Sequence, residues 1–349
     1  VYLFDPRVAP IEKITPYHFV NWAARFPEAV RGNIYKARDK WLQTNIIPKG
    51  AFVHKCFVKI EPLLKSSVTG MSSFDPRLIS GASDWYNAVC GPWVFAFSKW
   101  LMTSWSSKWW ITYASGLTAE DLGSWVDQTT NLLVQYVEGD INRFDASVTV
   151  PLLDVTNWLY DYFGCPPDVM QVIKTNNRKL GRTPAGIFFE MDGSVASGDP
   201  DTTVRNSLLV GLLKAFFLCT YHNVTPENMA ANLSHYAFPP YVTAVPAPIV
   251  APIYQLPMLD KIPPPIRGKK FWRKKEAPDI ETKYDDRLND HYVEEKKEAI
   301  ARPFHNDFLF RILVMGDDNL VVHNRNTTPP GQLFIDHFAG FGMVAKINV

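Results

Sequence analysis

The stretch Phe308-Leu309-Phe310-Arg311-Ile312-Leu313-Val314-Met315-Gly316-Asp317-Asp318-Asn319-Leu320-Val321-Val322 decides the fold. The apolar run from Phe308 to Met315 predicts one strand, and Asn319 to Val322 predicts a second. Gly316-Asp317-Asp318 forms the tight turn between them, with Gly316 permitting the backbone to reverse. Hydrophobic strands on both sides bury the hairpin while its acidic tip stays open. Asp-rich turns also occur for conformational reasons alone, because Asp hydrogen-bonds to its own backbone. Any chemistry at this tip therefore needs partners elsewhere in the chain.

The first partner is Asp140. A buried strand is predicted from Leu132 to Glu138, bounded by Gly139, and Asp140 opens Asp140-Ile141-Asn142-Arg143-Phe144-Asp145. Two strand ends side by side in a sheet can hold hard oxygen ligands close together on rigid elements, which is what a divalent cation such as magnesium demands. The second partner is Ser197-Gly198-Asp199-Pro200-Asp201-Thr202-Thr203-Val204-Arg205-Asn206. Ser197 and Gly198 form a loop before a long helix predicted from near Pro200, in its first turn, to Cys219. Thr202 and Asn206, four apart, share a face of that helix. A Ser/Asp-type N-cap would explain Ser197 and Asp199 but leaves Asn206, unfavourable in a helix interior, without a reason.

The remaining elements frame these segments. The pattern Leu152, Leu153, Val155, Trp158, Leu159 and Phe163 predicts an amphipathic helix over 151–163, closed by Gly164 and Pro166-Pro167. Residues 180–192 read as a hairpin region with Gly193 as punctuation. After the acidic hairpin, Gln332 to Phe341 predicts a short helix leading to a strand with Lys346. Prolines at 239, 240, 246, 248, 252, 257, 263, 264 and 265 preclude regular helix or central strand, and a basic cluster with Phe271 and Trp272 follows at 269–275. That region is expected to be a surface insertion, its basic cluster a solvated linker in preference to an RNA-binding or localisation signal.

Composition bounds the function. Of 349 residues, 46% are hydrophobic and 20% charged, a globular balance with a substantial core. Lys plus Arg (36) nearly cancel Asp plus Glu (35), but residues 1–110 carry 14 basic against 7 acidic side chains and the remainder 22 against 28. A basic front suits polyanions and an acidic back suits divalent cations. Cys56, Cys90, Cys165 and Cys219 lack CxxC spacing, so reduced, partly buried thiols of a cytosolic protein are expected rather than a zinc site. No signal peptide is visible, and Val1 in place of Met predicts a chain cut from a longer protein. The most apolar run, Ser207 to Cys219, contains Lys214 and is too short to span a bilayer, so a buried core helix is expected. Trp93, Trp100, Trp105, Trp109 and Trp110 fit packing better than base stacking.

The order DxxxxD, SGxxxTxxxN, GDD resembles the palm segments of positive-strand RNA virus RNA-dependent RNA polymerases. Arg143-Phe144-Asp145 and Ser197-Gly198-Asp199 resemble the tombusvirus-like group most. Upstream, Lys59-Ile60-Glu61, Lys65 and Asp75-Pro76-Arg77-Leu78-Ile79 are similar to the family's basic fingers segment, so the resemblance covers roughly residues 55 to 346. It implies an α+β right-hand polymerase fold with an antiparallel palm sheet. Fingers would occupy residues 1–130, and the palm 131–224 (with a fingers-side segment near 165–192) and 306–349. Residues 225–305 would be a Pro-rich, charged insertion, and the thumb would be missing.

It further implies template-directed RNA synthesis with two Mg2+ or Mn2+ ions. Asp140 and Asp317 would be metal ligands, assisted by Asp318. Asp145 and Asn206 would read the ribose 2′-hydroxyl, while Ser197, Gly198 and Thr202 position template and nucleotide. Lys59 and Arg77 would grip the triphosphate, and Lys346 would protonate the departing pyrophosphate. Taken alone, Lys59, Lys65 and Arg77 fit a solvated basic surface, and Lys346 a solvent-exposed lysine. Partners would be the RNA template and nascent strand, ribonucleoside triphosphates and other viral replicase proteins. The setting would be the host cytoplasm, in membrane-associated complexes held through regions outside this chain.

Three alternatives stay open. A reverse transcriptase or other palm-fold polymerase would share the carboxylates, although one making DNA commonly places a bulky side chain against the 2′-hydroxyl, where this chain has Asp145 and Asn206. A non-catalytic RNA-binding replicase subunit would be expected to have lost metal-site carboxylates. A virion structural protein would show regularly spaced short strands.

Overall fold

The computed structural model describes residues 2–8, 14–59, 77–128, 134–234 and 309–348. In chain order the elements are α1 (Phe19–Ala23), α2 (Glu28–Thr44), β1 (Val53–Val58), β2 (Leu78–Gly81), α3 (Asp84–Ser104), β3 (Ile111–Tyr113) and α4 (Ala119–Asp127). Then follow β4 (Val134–Ile141), α5 (Phe144–Ser147), α6 (Val150–Tyr162), α7 (Pro167–Lys174), β5 (Arg178–Arg182), β6 (Phe188–Asp192), α8 (Thr202–Tyr221) and α9 (Pro226–Ser234). The acidic hairpin supplies β7 (Phe310–Met315) and β8 (Asp318–Asn324), and α10 (Gly331–Ala339) leads to β9 (Ala345–Asn348).

Five strands form one sheet in the order β3-β7-β8-β4-β9. Within it, β7 and β8 are the expected hairpin, with Met315 opposite Asp318, so the turn proper is Gly316-Asp317 and Asp318 already belongs to the second strand. Strand β4 lies antiparallel to β8 and, on its other side, to β9. The expectation of a wholly antiparallel sheet is corrected at one edge: β3 runs parallel to β7. A parallel neighbour needs a long connection, and here some 200 residues separate the two strands along the chain. Strand β4 also runs further than expected, through Gly139 to Ile141. Along it Tyr136, Glu138 and Asp140 are exposed, while Val137, Gly139 and Ile141 are buried, the period-2 pattern of a half-buried strand. Residues 131–133 and Phe308 lie outside the described residues.

A second, four-stranded sheet has the order β2-β1-β5-β6. Its β5–β6 hairpin, predicted for 180–192, spans Arg178 to Asp192, and Gly193 follows at φ +75°.

Of the clustered tryptophans four are core, and Trp100 is partly buried against them. Trp93, Trp105 and Trp110 are fully buried and Trp109 nearly so, and the indoles of Trp105, Trp109 and Trp110 donate to the carbonyls of Leu3 and Tyr2, strapping the N-terminal residues over α3. All four cysteines are buried and unpaired. Helix α6 keeps its predicted extent, with Gly164 at φ +83°, but its apolar face is narrower than expected. Leu152, Leu153, Leu159 and Phe163 are buried, whereas Val155 and Trp158 face outward, where Trp158 stacks on Tyr162 at 5.6 Å.

Helix α8 starts after Pro200 rather than containing it, and Asp201 stands at the N-cap position without a side-chain cap. Its 20 residues are long and apolar enough to cross a membrane, which overturns the argument from length. Burial of most residues from Val204 to Leu218 within the protein, with Phe216 left exposed, is what identifies a core helix. The Pro-rich and basic expectations for 235–300 fall outside the described residues.

Candidate active site

The acidic hairpin tip and the end of β4 meet because of register. In the β4–β8 ladder Gly139 pairs with Asn319, so the next step places Asp140 beside Asp318. On the other side of β4, Asp140 pairs directly with Lys346 of β9. Opposed residues of antiparallel strands project to one face, so Glu138, Asp140, Asp318 and Lys346 share a face. That face floors an open cleft of about 540 Å³, whose lining includes Tyr136, Glu138, Asp140, Met315, Asp318 and Asn348.

Gly316 adopts φ +68°, which L side chains seldom do, and Asp317 follows it at the apex. The Gly316 N–H donates to Ser207 Oγ at 2.7 Å, tying the turn to α8. Asn319 Nδ2 donates to the Asp317 carbonyl at 2.8 Å. Both flanks of the acidic apex are thereby held by side chains.

Beside the apex, Asn206 Nδ2 donates to Asp145 Oδ1 at 2.6 Å, joining α8 to α5. The carboxylate only accepts, so the amide's carbonyl Oδ1 points away, and it is buried without a hydrogen-bond partner. Burial raises the Asp145 pKa, the Asn206 hydrogen bond opposes that rise, and the charge of Asp317 adds to it. Asp318 is likewise raised, by burial first and then by Asp317, Asp140 and Glu138. These carboxylates sense one another, the electrostatic situation a divalent cation relieves. Among the described residues no three His, Cys, Asp or Glu side chains are already drawn into a metal-holding cluster. The oxygen donors of Asp140, Asp317 and Asp318 are nonetheless of the right chemical class for Mg2+ or Mn2+.

The Ser-Gly loop precedes α8 as expected and is held against β2. Gly198 makes a parallel bridge with Gly81 of β2, and its N–H donates to the Ser80 carbonyl at 2.9 Å. A Cβ on Gly198 would lie 2.7 Å from Gly81 Cα and from the Ser80 carbonyl oxygen, so close backbone approach is why glycine stands there. Thr202 spends its hydroxyl on the carbonyls of Ala196 (2.6 Å) and Asp199 (3.0 Å), closing its own loop. Ser197 is exposed and accepts from the Ser80 N–H at 3.4 Å. Asp199 caps no helix: it is buried and accepts from His54 Nε2 and Asn176 Nδ2, each at 2.7 Å.

Lys59 and Arg77 are exposed and joined through the backbone, the Lys59 N–H donating to the Arg77 carbonyl at 2.8 Å, at the ends of β1 and β2 in the four-stranded sheet. Glu61, Lys65, Asp75 and Pro76 lie outside the described residues. Lys346 is exposed on the edge strand. Ser207, Asn319 and Lys214, which adjoin the hairpin and β4, carry little signal of such a place in the sequence. The available signal was a lone lysine within an apolar run and a serine one residue after Asn206.

Residues 76–226 match the family model described as RNA dependent RNA polymerase. No curated protein matches the chain. The matched span holds Arg77, Asp140, Asp145, Ser197, Gly198, Thr202 and Asn206, while Lys59, the Gly316-Asp317-Asp318 turn and Lys346 lie beyond it. Residues 76–226, which carry both the Asp140 strand and the Asp145–Asn206 pair, belong to the RNA-dependent RNA polymerase family of positive-strand RNA viruses, whose members are nucleotidyltransferases.

Proposed function

We infer that this chain carries the catalytic centre for template-directed RNA synthesis in viral genome replication and transcription, of the tombusvirus-like kind, joining a ribonucleotide to a primer 3′-hydroxyl with release of pyrophosphate. The observation that carries this is the register that sets Asp140 beside Asp318 at the tip of a hairpin, next to the Asp145–Asn206 pair. Asp140, Asp317 and Asp318 would hold two divalent cations, which when bound stabilise the attacking and leaving oxygens of the displacement. Fingers and palm are assigned to the four-stranded and five-stranded sheets.

The protein's own groups then divide the work. The unpartnered Oδ1 of Asn206 accepts from the ribose 2′-hydroxyl, and Asp145 orients the amide. Lys59 and Arg77 draw the triphosphate toward the cleft, Arg by its planar fork and Lys as a mobile point charge. Ser197 supports the template side, with Gly198 and Thr202 shaping the loop. Lys346, opposite Asp140, supplies a proton to the departing pyrophosphate. RNA, ribonucleoside triphosphates and further replicase proteins are the partners, in the host cytoplasm and in membrane-associated complexes.

Asp317→Asn is the decisive variant. Nucleotide incorporation is expected to fall to background while RNA binding, followed by filter retention, stays within about twofold, because only the cation-binding charge is lost. Unchanged incorporation would remove the hairpin from the chemistry.

A further inference from the structure

Helix α8 touches the acidic hairpin at two levels. Ser207 accepts from the Gly316 N–H. Two turns later on the same face, Lys214 reaches beneath the strands. Lys214 is fully buried, and its Nζ has no hydrogen-bond partner among the described residues. The rings of Phe334 and Phe338 of α10 lie 5.1 and 5.9 Å from Nζ, and the pKa of His337, lowered first by its own burial, is lowered further by Lys214. Among the described residues no carboxylate is paired with it, and burial pulls its pKa down to about 7.

Its third neighbour is the catalytic strand pair. A Cβ on Gly139 would overlap Asn319 Oδ1 and come within 3.0 Å of Lys214 Nζ, so both atoms converge on the small space that Gly139 leaves open. Asn319 Oδ1 is itself buried and unpartnered. Its amide nitrogen is already committed to the Asp317 carbonyl. A buried donor and a buried acceptor thus face one gap, and the acceptor's other end grips the residue at the hairpin apex. Leaving both unpaired would cost several kcal/mol, so they are expected to satisfy each other, directly or through one water.

We propose that Lys214 is a positioning residue that acts through Asn319 to hold the Asp317 apex from beneath the sheet. This rests on the proposed catalytic role of the hairpin but makes a separate physical claim. With the Asn319 amide anchored by Lys214 Nζ, the Asp317 carbonyl that it holds is restrained, and with it the orientation of the residue at the apex. The lysine lies on the face of the sheet opposite the cleft, and so would touch neither nucleotide nor RNA.

The test is hydrogen exchange on the full chain carrying Lys214→Met, which keeps the volume and removes the donor, with Lys214→Gln and Asn319→Leu alongside. The proposal expects exchange to become faster by about tenfold only in the peptide covering residues 310–322, with the melting temperature not lowered and exchange elsewhere not raised. In single-nucleotide assays kcat should fall by about tenfold or more, with KM for the nucleotide within about twofold, because misplacement of a reacting group by a fraction of an ångström slows the step without weakening binding. The double variant Lys214→Met/Asn319→Leu should lose no more than the worse single one, since both act through one contact. Exchange unchanged at 310–322, exchange raised throughout with a lower melting temperature, or losses that multiply in the double variant would each overturn it. The exchange arm needs neither metal nor nucleotide, so its failure is distinguishable from failure of the catalytic assignment.

Discussion

Asn206 commits its amide nitrogen to Asp145 and leaves its carbonyl buried and unanswered, an expensive arrangement unless a ligand supplies the donor. Asn206→Leu should therefore lower kcat/KM for ribonucleotides by about 10- to 100-fold while changing it for deoxynucleotides by less than about threefold, because a site built around a hydroxyl penalises its absence. Paired incorporation assays check this, and equal losses for both sugars would exclude Asn206 from sugar recognition. Ser207 is the other residue whose loss is local. In Ser207→Ala the Gly316 N–H loses its acceptor, with an expected destabilisation of about 1–3 kcal/mol in urea unfolding and a slower chemical step. Asp145, Asn206 and the acidic turn were legible as candidates in the linear chain because their spacing and order are a pattern of sequence. Ser207 and Asn319 were not, because a hydroxyl or amide in a helix or strand has many bland uses until its acceptor is known.

Helix α8 is the element on which the site is built. Its first turn is anchored by a buried Arg205–Asp201 ion pair at 2.7 Å, and the same guanidinium donates to Thr156 and Asn157 of α6. Its middle presents Asn206, Ser207 and Lys214 to α5 and the hairpin. The loop before it is pressed onto β2 at Gly198, which links the two sheets. In Gly198→Ala the added methyl meets backbone atoms of Ser80 and Gly81 that cannot swing aside, so β2 must be displaced. A loss of about 1–3 kcal/mol is expected, together with a reduced incorporation rate. A melt matching the unmodified chain would show that the loop-to-strand contact is slack. The boundaries of the three helices expected from the sequence, α6, α8 and α10, were readable to within two residues from apolar spacing, Pro and Gly, whereas the long α2 and α3 were not foreseen. The outward placement of Val155 and Trp158 was not, because periodicity names a stripe but only the neighbouring elements decide how wide a stripe they cover.

At the scale of the whole molecule, buried cations leave a signature in pH. Burial lowers Lys214 to about 7 and Lys179 to about 8, against an ordinary value of 10.5. Between those values and 10.5 the unfolded chain binds more protons than the folded one, so these groups make stability rise with pH, beginning near pH 7. Urea midpoints measured from pH 6.5 to 9 should rise more steeply for the unmodified chain than for Lys214→Met. Parallel profiles would mean that Lys214 keeps its ordinary proton affinity when buried. The amino-acid sequence by itself determined the strands that carry the acidic residues, the turn between two of them and the ordered set of acidic and polar side chains, because strand period, glycine freedom and helix spacing are local properties of a chain. Only the tertiary structure decided that Asp140 stands beside Asp318 and opposite Lys346, that Gly198 is there for a backbone contact, and that a lysine lies beneath the strands that carry these carboxylates. Those facts depend on pairing register and on packing between segments tens to hundreds of residues apart, where the gain comes from burying shared surface and not from any local preference.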